Sequence, residues 1–179
     1  MKLLIGITSS IAAYRIPNLV SMLRKESFDI QTIVTNHAKA FVAPQALAVM
    51  SQNPCLGDED EWTHKEHVLH IELAKWCDAF LIAPLSANTL AKIATGFCDN
   101  LLTSTVRALG QKPLVIAPAM NTNMWDNPVT GKHIKQCEQL YNLTVIDPVS
   151  KQLADGDTGI GGLAEDDTII AVLRNLKDK

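Results

Sequence analysis

Short, continuous runs of apolar residues alternate with stretches of helical periodicity along the chain. The run at 2–8 reads KLLIGIT, and AFLIA at 79–83 and PLVIA at 113–117 have the same character. Apolar runs of this length are typical of strands buried on both faces of a sheet. Strands that alternate with helices favour parallel pairing, with helices on both faces of the sheet. We therefore predict an α/β fold built on a parallel sheet.

The remaining segments extend this pattern. Further strands are predicted at 29–35 and at 143–146, the second of these as the last strand, and the polar segment 55–66 is predicted as a loop. Pro44 is expected to kink or restart the helix that contains it. With 179 residues and no linker or repeat, residues 1–179 are predicted to form one domain. Apolar spacing predicts helices at 10–25, 38–50, 90–95, 101–109, 127–141 and 168–177.

Charge and composition indicate which binding partners and which cellular location to expect for the protein. The formal net charge is −3 and no basic run occurs, so binding to nucleic acid is not expected. No apolar run reaches the length that spans a membrane. The N-terminal apolar run is interrupted by Thr8, Ser9 and Ser10, which indicates a strand and not a targeting signal. The cysteines are widely spaced without a CxxC pair, so we expect reduced thiols and a cytoplasmic location.

Polar clusters follow three of the predicted strands. They read TSS at 8–10, PLSANT at 84–89 and PAMNTNMW at 118–125. In open parallel sheets, ligands bind beyond the carboxyl ends of the strands. Three such clusters at one sheet edge therefore indicate a shared ligand site.

Each cluster also has a simpler interpretation. Ser9 or Ser10 can be an N-cap, although small hydroxyl residues at a helix start also favour an anion such as phosphate. No GxGxxG motif occurs, which argues against an ordinary dinucleotide fold. Asn121 offers both a donor and an acceptor. The methionines and Trp125 beside it supply a flat apolar surface, which core packing explains equally well.

The segment HKEHVLH at 64–70 carries three histidines at steps of three residues. Steps of three rotate around a helix, so the rings converge poorly and we predict no metal site. His70 differs from His64 and His67 because it directly precedes the helical stretch IELAKW. It is either a capping residue or an acid/base group near the sheet edge.

Taken together, these segments resemble the homo-oligomeric flavin-containing cysteine decarboxylases over nearly the whole chain. The resemblance rests on HIELAKW, PLSANT, CDNLLT, PAMNTNMW and GDTGIGG. PAMNTNMW combined with PLSANT at this spacing is a specific signal. The resemblance implies a flavodoxin-like, Rossmann-like fold that binds FMN and assembles as trimers or dodecamers, with the flavin at a subunit contact.

The resemblance also implies roles for individual residues. His70 is implied as the essential acid/base residue and Asn121 as the ligand of the substrate carboxylate. In the branch that serves coenzyme A biosynthesis, the small-molecule substrate is phosphopantothenoylcysteine, which Gln152, Leu153 and Ala154 are implied to touch. FMN contacts are implied for Ser9, Ser10, Ile11, Thr35, Asn36, His37, Ser86, Ala87, Asn88, Thr89 and Ala119, and for Phe41 from a neighbouring subunit.

The implied reaction is an oxidative decarboxylation. Cysteine cannot lose its carboxylate unaided, because the resulting carbanion has no electron sink, and FMN overcomes this by oxidising the thiol first. In coenzyme A biosynthesis the enethiol is finally reduced, and the family uses a cysteine as proton donor in a loop of the pattern LACGDxGxG. Here the loop reads LADGDTGIGG, so Asp155 stands where the cysteine is expected.

Three interpretations of Asp155 are open. It serves as an alternative acid, since a carboxyl shielded in a closed loop has a raised pKa. Alternatively, the chain stops at the enethiol, as peptidyl-cysteine decarboxylases do, or the substitution disables turnover. Composition alone predicts only a flexible, solvated turn, because glycine and aspartate are common turn formers.

Two further classes are weaker alternatives. Prenyltransferases that alkylate FMN usually begin SGASG after the first strand, whereas this chain has TSSIAAYR. Non-enzymatic regulatory subunits of protein phosphatases usually carry long acidic tails, whereas this sequence ends at NLKDK.

Overall fold

A six-stranded parallel sheet forms the centre of the computed structural model, which describes residues 1–63, 68–152, 156 and 158–178. The spatial order is β3-β2-β1-β4-β5-β6, the order of a dinucleotide-binding sheet. Without the two-residue edge strand β3, the order is that of flavodoxin, so the predicted fold class is confirmed. The strands are β1 (Lys2–Ile7), β2 (Asp29–Val34), β3 (Cys55–Leu56), β4 (Ala79–Leu85), β5 (Leu114–Pro118) and β6 (Leu143–Val145).

Helices cover both faces of the sheet because neighbouring strand residues point to opposite sides. The helices are α1 (Ile16–Lys25), α2 (Pro44–Ser51), α3 (Leu69–Trp76), α4 (Ala87–Thr95), α5 (Leu101–Ala108), α6 (Thr122–Trp125), α7 (Pro128–Leu140) and α8 (Asp166–Lys177). Leu3 and Ile5 of β1 belong to a core shared with α1, α2 and α8, whereas Leu4 belongs to a core shared with α3, α4, α5 and α7. None of the described helices is long and apolar enough to cross a membrane.

Two prolines lie at different places in the secondary structure. Pro44 is the first residue of α2, after a 3₁₀ turn at Asn36–Ala40, so the predicted restart is confirmed. Pro84 lies within β4, which continues beyond the predicted strand AFLIA to Leu85. The register between β4 and β5 shifts between Ile82 and Leu85, and an irregularity of this kind accommodates a proline within a strand.

Two loop predictions were also wrong. Part of segment 55–66 forms β3 and a 3₁₀ turn at Asp58–Asp60. Beyond β6, which was predicted to be the last strand, the chain forms an antiparallel hairpin of β7 (Val149–Gln152) and β8 (Thr158–Gly162).

Close packing explains the glycines of β8. A Cβ on Gly161 would overlap the carbonyl oxygen of Met120, and one on Gly159 would overlap the Thr122 hydroxyl. The Met120 amide also donates to the Gly161 carbonyl at 2.9 Å. The glycine-rich segment that composition predicts as a flexible turn is therefore a strand held against the loop after β5.

Lys112 closes the C-terminal end of α3. Its Nζ donates to the carbonyls of Ala74, Lys75 and Cys77 at 2.7 to 2.8 Å. These carbonyls lie at the last turn of the helix, where carbonyl groups have no amide partner within the helix. The helix dipole also favours a cation there. The lysine therefore holds the end of the helix that carries His70.

Lys112→Met is expected to lower the free energy of unfolding by about 1–3 kcal/mol, because it leaves these carbonyls without their donor. Urea denaturation followed by circular dichroism measures the change. Lys132→Met, at an exposed position on α7, is the control and is expected to change stability by less than about 0.5 kcal/mol. Equal effects of the two substitutions would contradict this role of Lys112.

Candidate functional site

A cavity of about 590 Å³ opens at the carboxyl ends of β1, β4 and β5. The strand order reverses between β1 and β4, and ligands bind at such a point in open α/β sheets. The three polar clusters predicted from the sequence converge here, together with the β7–β8 hairpin. The predicted site residues that line the cavity are Ser9, Ser10, Ile11, Ser86, Ala87, Asn88, Ala119, Asn121 and Gln152.

Thr8 joins the loops that follow β1 and β4. Its side chain is buried, donates to the Pro84 carbonyl at 2.7 Å and accepts from the Ser86 amide at 2.8 Å. Thr8 belongs to a polar cluster that was predicted to face a ligand, but its hydroxyl instead bonds these two loops together. The bond fixes Ser86 beside the loop that carries Ser9.

The three polar clusters differ in how their side chains cap helices. Ser10 is the N-cap of the 3₁₀ turn Ile11–Arg15, but its side chain makes no capping hydrogen bond. Ser86 caps α4 by accepting from the Thr89 amide at 3.3 Å, and Asn121 caps α6 by accepting from the Asn123 amide at 2.8 Å. Capping therefore accounts for Ser86 and Asn121 but not for Ser10, and core packing does not account for the third cluster, because Met124 is 48% exposed.

Several predicted flavin contacts do not line the cavity. Thr35 lies at the end of β2, where its amide donates to the Ile7 carbonyl at 3.1 Å. Thr89 is buried beneath Ser86 in the first turn of α4. Asn36, His37 and Phe41 follow β2 on the exposed surface.

His70 lies in the first turn of α3 and also does not line the cavity of its own chain. The N-cap of α3 is Val68, so the alternative of His70 as a capping residue is wrong. The His70 Nδ1 instead contacts Oε1 of Glu61, a buried carboxylate. Glu61 was not predicted as a site residue, because it lies in the polar segment 55–66 that was predicted to be a loop.

Two cationic residues of the cavity lining were also missed. Arg15 donates to the carbonyls of Leu163 and Ala164 at 3.0 and 3.1 Å and pairs with Asp166 at 2.6 Å, which fixes the chain as it leaves β8. The side chain of Lys151 on β7 lies against Gly162. A Cβ added to this glycine would be 2.7 Å from the Cγ of Lys151. The charge of Arg15 is compensated by Asp166, whereas Lys151 adds a positive charge to the cavity lining that favours anions. The sequence offers no motif that marks either of them.

None of the cysteines lines the cavity, and all four are free thiols. Burial raises the pKa of the Cys55 and Cys77 thiols above the ordinary value, and it raises the pKa of Cys137 to about 11. These three thiols are therefore protonated at neutral pH. Cys98 is exposed.

Leu153, Ala154 and Asp155 lie outside the described residues, as do His64 and His67. Their predicted roles stay predictions. The described strands on either side, β7 and β8, contribute Gln152 and Gly161 to the cavity. The loop that contains Asp155 therefore connects two strands that both reach the cavity wall.

Comparison with known proteins agrees with this arrangement. The phosphopantothenoylcysteine decarboxylase of Mus musculus is 43% identical over 176 residues, which are 95% of this chain and 84% of the mouse protein. A cysteine-to-serine mutant of PPC decarboxylase, complexed with pantothenoylaminoethenethiol, has a TM-score of 0.92 at 42% identity, with 99% of this chain and 98% of that chain covered. The FMN binding protein AtHal3 has a TM-score of 0.88 at 42% identity and covers 99% and 96% of the two chains.

The resemblance to flavin-containing cysteine decarboxylases is confirmed by these relatives. The family model described as Flavoprotein matches residues 1–177. Since this match spans nearly the whole sequence, the chain belongs to the flavoprotein family.

Proposed function

We propose that the protein is an FMN-dependent decarboxylase that acts on the cysteine carboxylate of phosphopantothenoylcysteine in coenzyme A biosynthesis. The observation that carries this proposal is the convergence of the TSS, PLSANT and PAMNTNMW loops on one cavity at the strand-order reversal. Relatives that are 42 to 43% identical to this chain include proteins named as decarboxylases of this substrate and an FMN-binding protein.

The residues present fit FMN. The volume of about 590 Å³ lies within the usual range of cofactor pockets. Ser9 and Ser10 would hold the phosphate, since the Ser10 side chain is not used as a cap and the start of a helix favours an anion. Ala119, which is buried at the end of β5, and Ile11 supply apolar surface for the flavin ring. When bound, FMN supplies the electron acceptor that the decarboxylation requires.

The PAMNTNMW loop and the hairpin would hold the substrate. Capping of α6 fixes the orientation of the Asn121 side chain at the cavity wall, as binding of the substrate carboxylate requires. Gln152 of the hairpin also lines the cavity, and its side-chain amide donates to the Gly156 carbonyl at 3.4 Å. A substrate held by Asn121 would therefore also contact the hairpin.

We further propose a homo-oligomer, a trimer or a dodecamer, in which His70 and Phe41 contribute to the cavity of a neighbouring copy. Neither residue lines the cavity of its own chain. Trp62 is 74% exposed next to Glu61, and Phe41 is 39% exposed, so apolar surface is available for contact near both residues. His70 would then act as the acid/base group on a substrate bound mainly by another chain.

Asp155 is proposed as the proton donor of the final reduction. Its loop connects β7 to β8, and both strands reach the cavity wall. A carboxyl group enclosed there by substrate would have a raised pKa and could donate a proton near neutral pH. No cysteine lines the cavity to take this role.

Anaerobic incubation of the FMN-loaded protein with phosphopantothenoylcysteine tests the decarboxylase function and the role of Asp155. Mass spectrometry identifies the product, and the flavin absorbance shows whether the flavin is oxidised or reduced. We expect CO₂ release, a saturated phosphopantetheine product and flavin that returns to the oxidised state. Asp155→Asn is expected to release an enethiol, lighter by two hydrogen atoms, with the flavin left reduced, and Asp155→Cys is expected to restore the saturated product.

Different outcomes contradict different parts of the proposal. An unmodified protein that itself releases the enethiol would rule out Asp155 as the donor. Decarboxylation of a peptide with a C-terminal cysteine, but not of phosphopantothenoylcysteine, would contradict the proposed substrate. No release of CO₂ from either compound would contradict the decarboxylase function itself.

A further inference from the structure

Glu61 is a buried carboxylate that the decarboxylase function does not yet account for. It is 7% exposed and directly follows the 3₁₀ turn Asp58–Asp60. Its Oε1 contacts the Nδ1 of His70, and its Oε2 is buried with no hydrogen-bond partner among the described residues. A carboxylate buried in this way costs free energy unless its bonds are made.

The neighbouring acidic residues make different contacts from those of Glu61. The Asp60 carboxylate accepts from the Gly57 amide at 2.7 Å, and the Asp58 carboxylate accepts from the Leu101 amide at 3.0 Å. These two bonds anchor the segment to itself and to the start of α5. Glu59 pairs with Lys39 at 2.6 Å on the surface. Within this acidic run, Glu61 is the carboxylate that contacts a histidine of the described residues.

We propose that Glu61 is a positioning residue that fixes the tautomer and orientation of His70. An ionised carboxylate can only accept hydrogen bonds, so the Nδ1 of a neutral His70 must carry the proton. The Nε2 is then left unprotonated, as a general base requires. A carboxylate that orients a histidine in this way is a recurring arrangement in catalysis. The inference rests on the proposed role of His70 as the acid/base group.

The surroundings hold this pair in place. The His70 side chain is 22% exposed, so part of the ring remains accessible while Nδ1 faces the buried Glu61. Lys112 fixes the far end of α3, and Asp58 ties the Glu61 segment to α5. The carboxylate and the imidazole are therefore presented by two separately anchored segments, which limits their relative motion.

Glu61→Gln tests the proposal, because it keeps the shape of the side chain and removes its charge. We expect kcat for CO₂ release to fall on the order of 10- to 100-fold, with KM changed by less than about twofold. Glu59→Gln, in the same segment, is the matched control and is expected to leave both constants unchanged. In a His70→Asn background, Glu61→Gln is expected to cause no further loss, because its effect passes through the imidazole.

A second measurement does not depend on turnover. ¹⁵N NMR of histidine-labelled FMN-bound protein, at a pH where the imidazole is neutral, is expected to show His70 with its proton on Nδ1. In Glu61→Ala, the proton is expected to move to Nε2, the tautomer that free histidine prefers. Thermal melting and the flavin absorbance of each variant establish that the fold and the bound FMN are retained.

Different outcomes contradict the positioning role of Glu61 and the proposed decarboxylase function. If the unmodified protein does not decarboxylate phosphopantothenoylcysteine, the proposed function fails, while the NMR experiment still tests the pair. If decarboxylation occurs but Glu61→Gln changes kcat no more than Glu59→Gln, the inference is overturned. An unchanged His70 tautomer in folded Glu61→Ala, or independent additive effects in the double variant, would overturn it as well.

Discussion

Replacing His70 by asparagine is expected to lower kcat for decarboxylation by about 10²- to 10⁴-fold, the range over which a positioned acid/base group accelerates a reaction. Asparagine keeps a polar side chain of similar size but cannot exchange a proton near neutral pH. Because His70 does not line the cavity of its own chain, binding of FMN by that chain is expected to be retained.

Single-turnover measurement of CO₂ release checks the expected loss of rate. Titration of the apoprotein with FMN checks that FMN binding is retained. His133→Asn is the control, since His133 lies on α7 and does not line the cavity. Mixing inactive His70→Asn with a variant that cannot bind substrate through Asn121 provides a further check. Recovery of activity in mixed oligomers is expected only if the two residues serve one site from different chains.

Gly161→Ala is expected to lower the free energy of unfolding by about 3 kcal/mol or more. The φ of Gly161 is +153°, which side chains rarely adopt, and its Cβ would overlap the Met120 carbonyl oxygen. Since the Met120 amide also bonds to the Gly161 carbonyl, the hairpin cannot move away without losing that bond. Displacement of β8 would open the cavity wall, so weaker binding of FMN and substrate is expected as well.

Gly156→Ala is a matched control for the backbone cost. Gly156 also has a positive φ, of +92°, but a Cβ there would meet no atom of the described residues within 4 Å. Urea denaturation should therefore show a loss of only about 1 kcal/mol for Gly156→Ala. If the two alanine variants are equally stable, close packing of β8 against Met120 does not contribute to stability.

The central sheet could be predicted because its strands are buried on both faces and read as unbroken apolar runs. The β7–β8 hairpin could not, because TGIGG at 158–162 has neither apolar alternation nor strand propensity. Its glycines are required by contacts with Met120 and Thr122, residues far away in sequence. Contacts of this kind leave no periodic signal within the strand itself.

The candidate site also contains residues that could be predicted from the sequence and residues that could not. Topology brings the ends of neighbouring parallel strands together, so Ser9, Ser86 and Asn121 could be assigned to one site before any contact was known. The contact between His70 and Glu61 could not, because it joins a helix to an irregular acidic segment. Likewise, no sequence pattern distinguishes Thr8, which fixes the loops, from Ser9 beside it, which faces the cavity.

The contact of Arg15 with Leu163, Ala164 and Asp166 has a consequence for the order of events during protein synthesis. Arg15 is made early, with β1, but its partners are made only after every strand of the central sheet. While the nascent chain still lacks them, the sheet can pair but one wall of the cavity is missing. We therefore expect stable cofactor loading to wait until these late residues have left the ribosome, which would couple maturation of the holoprotein to translation through this region.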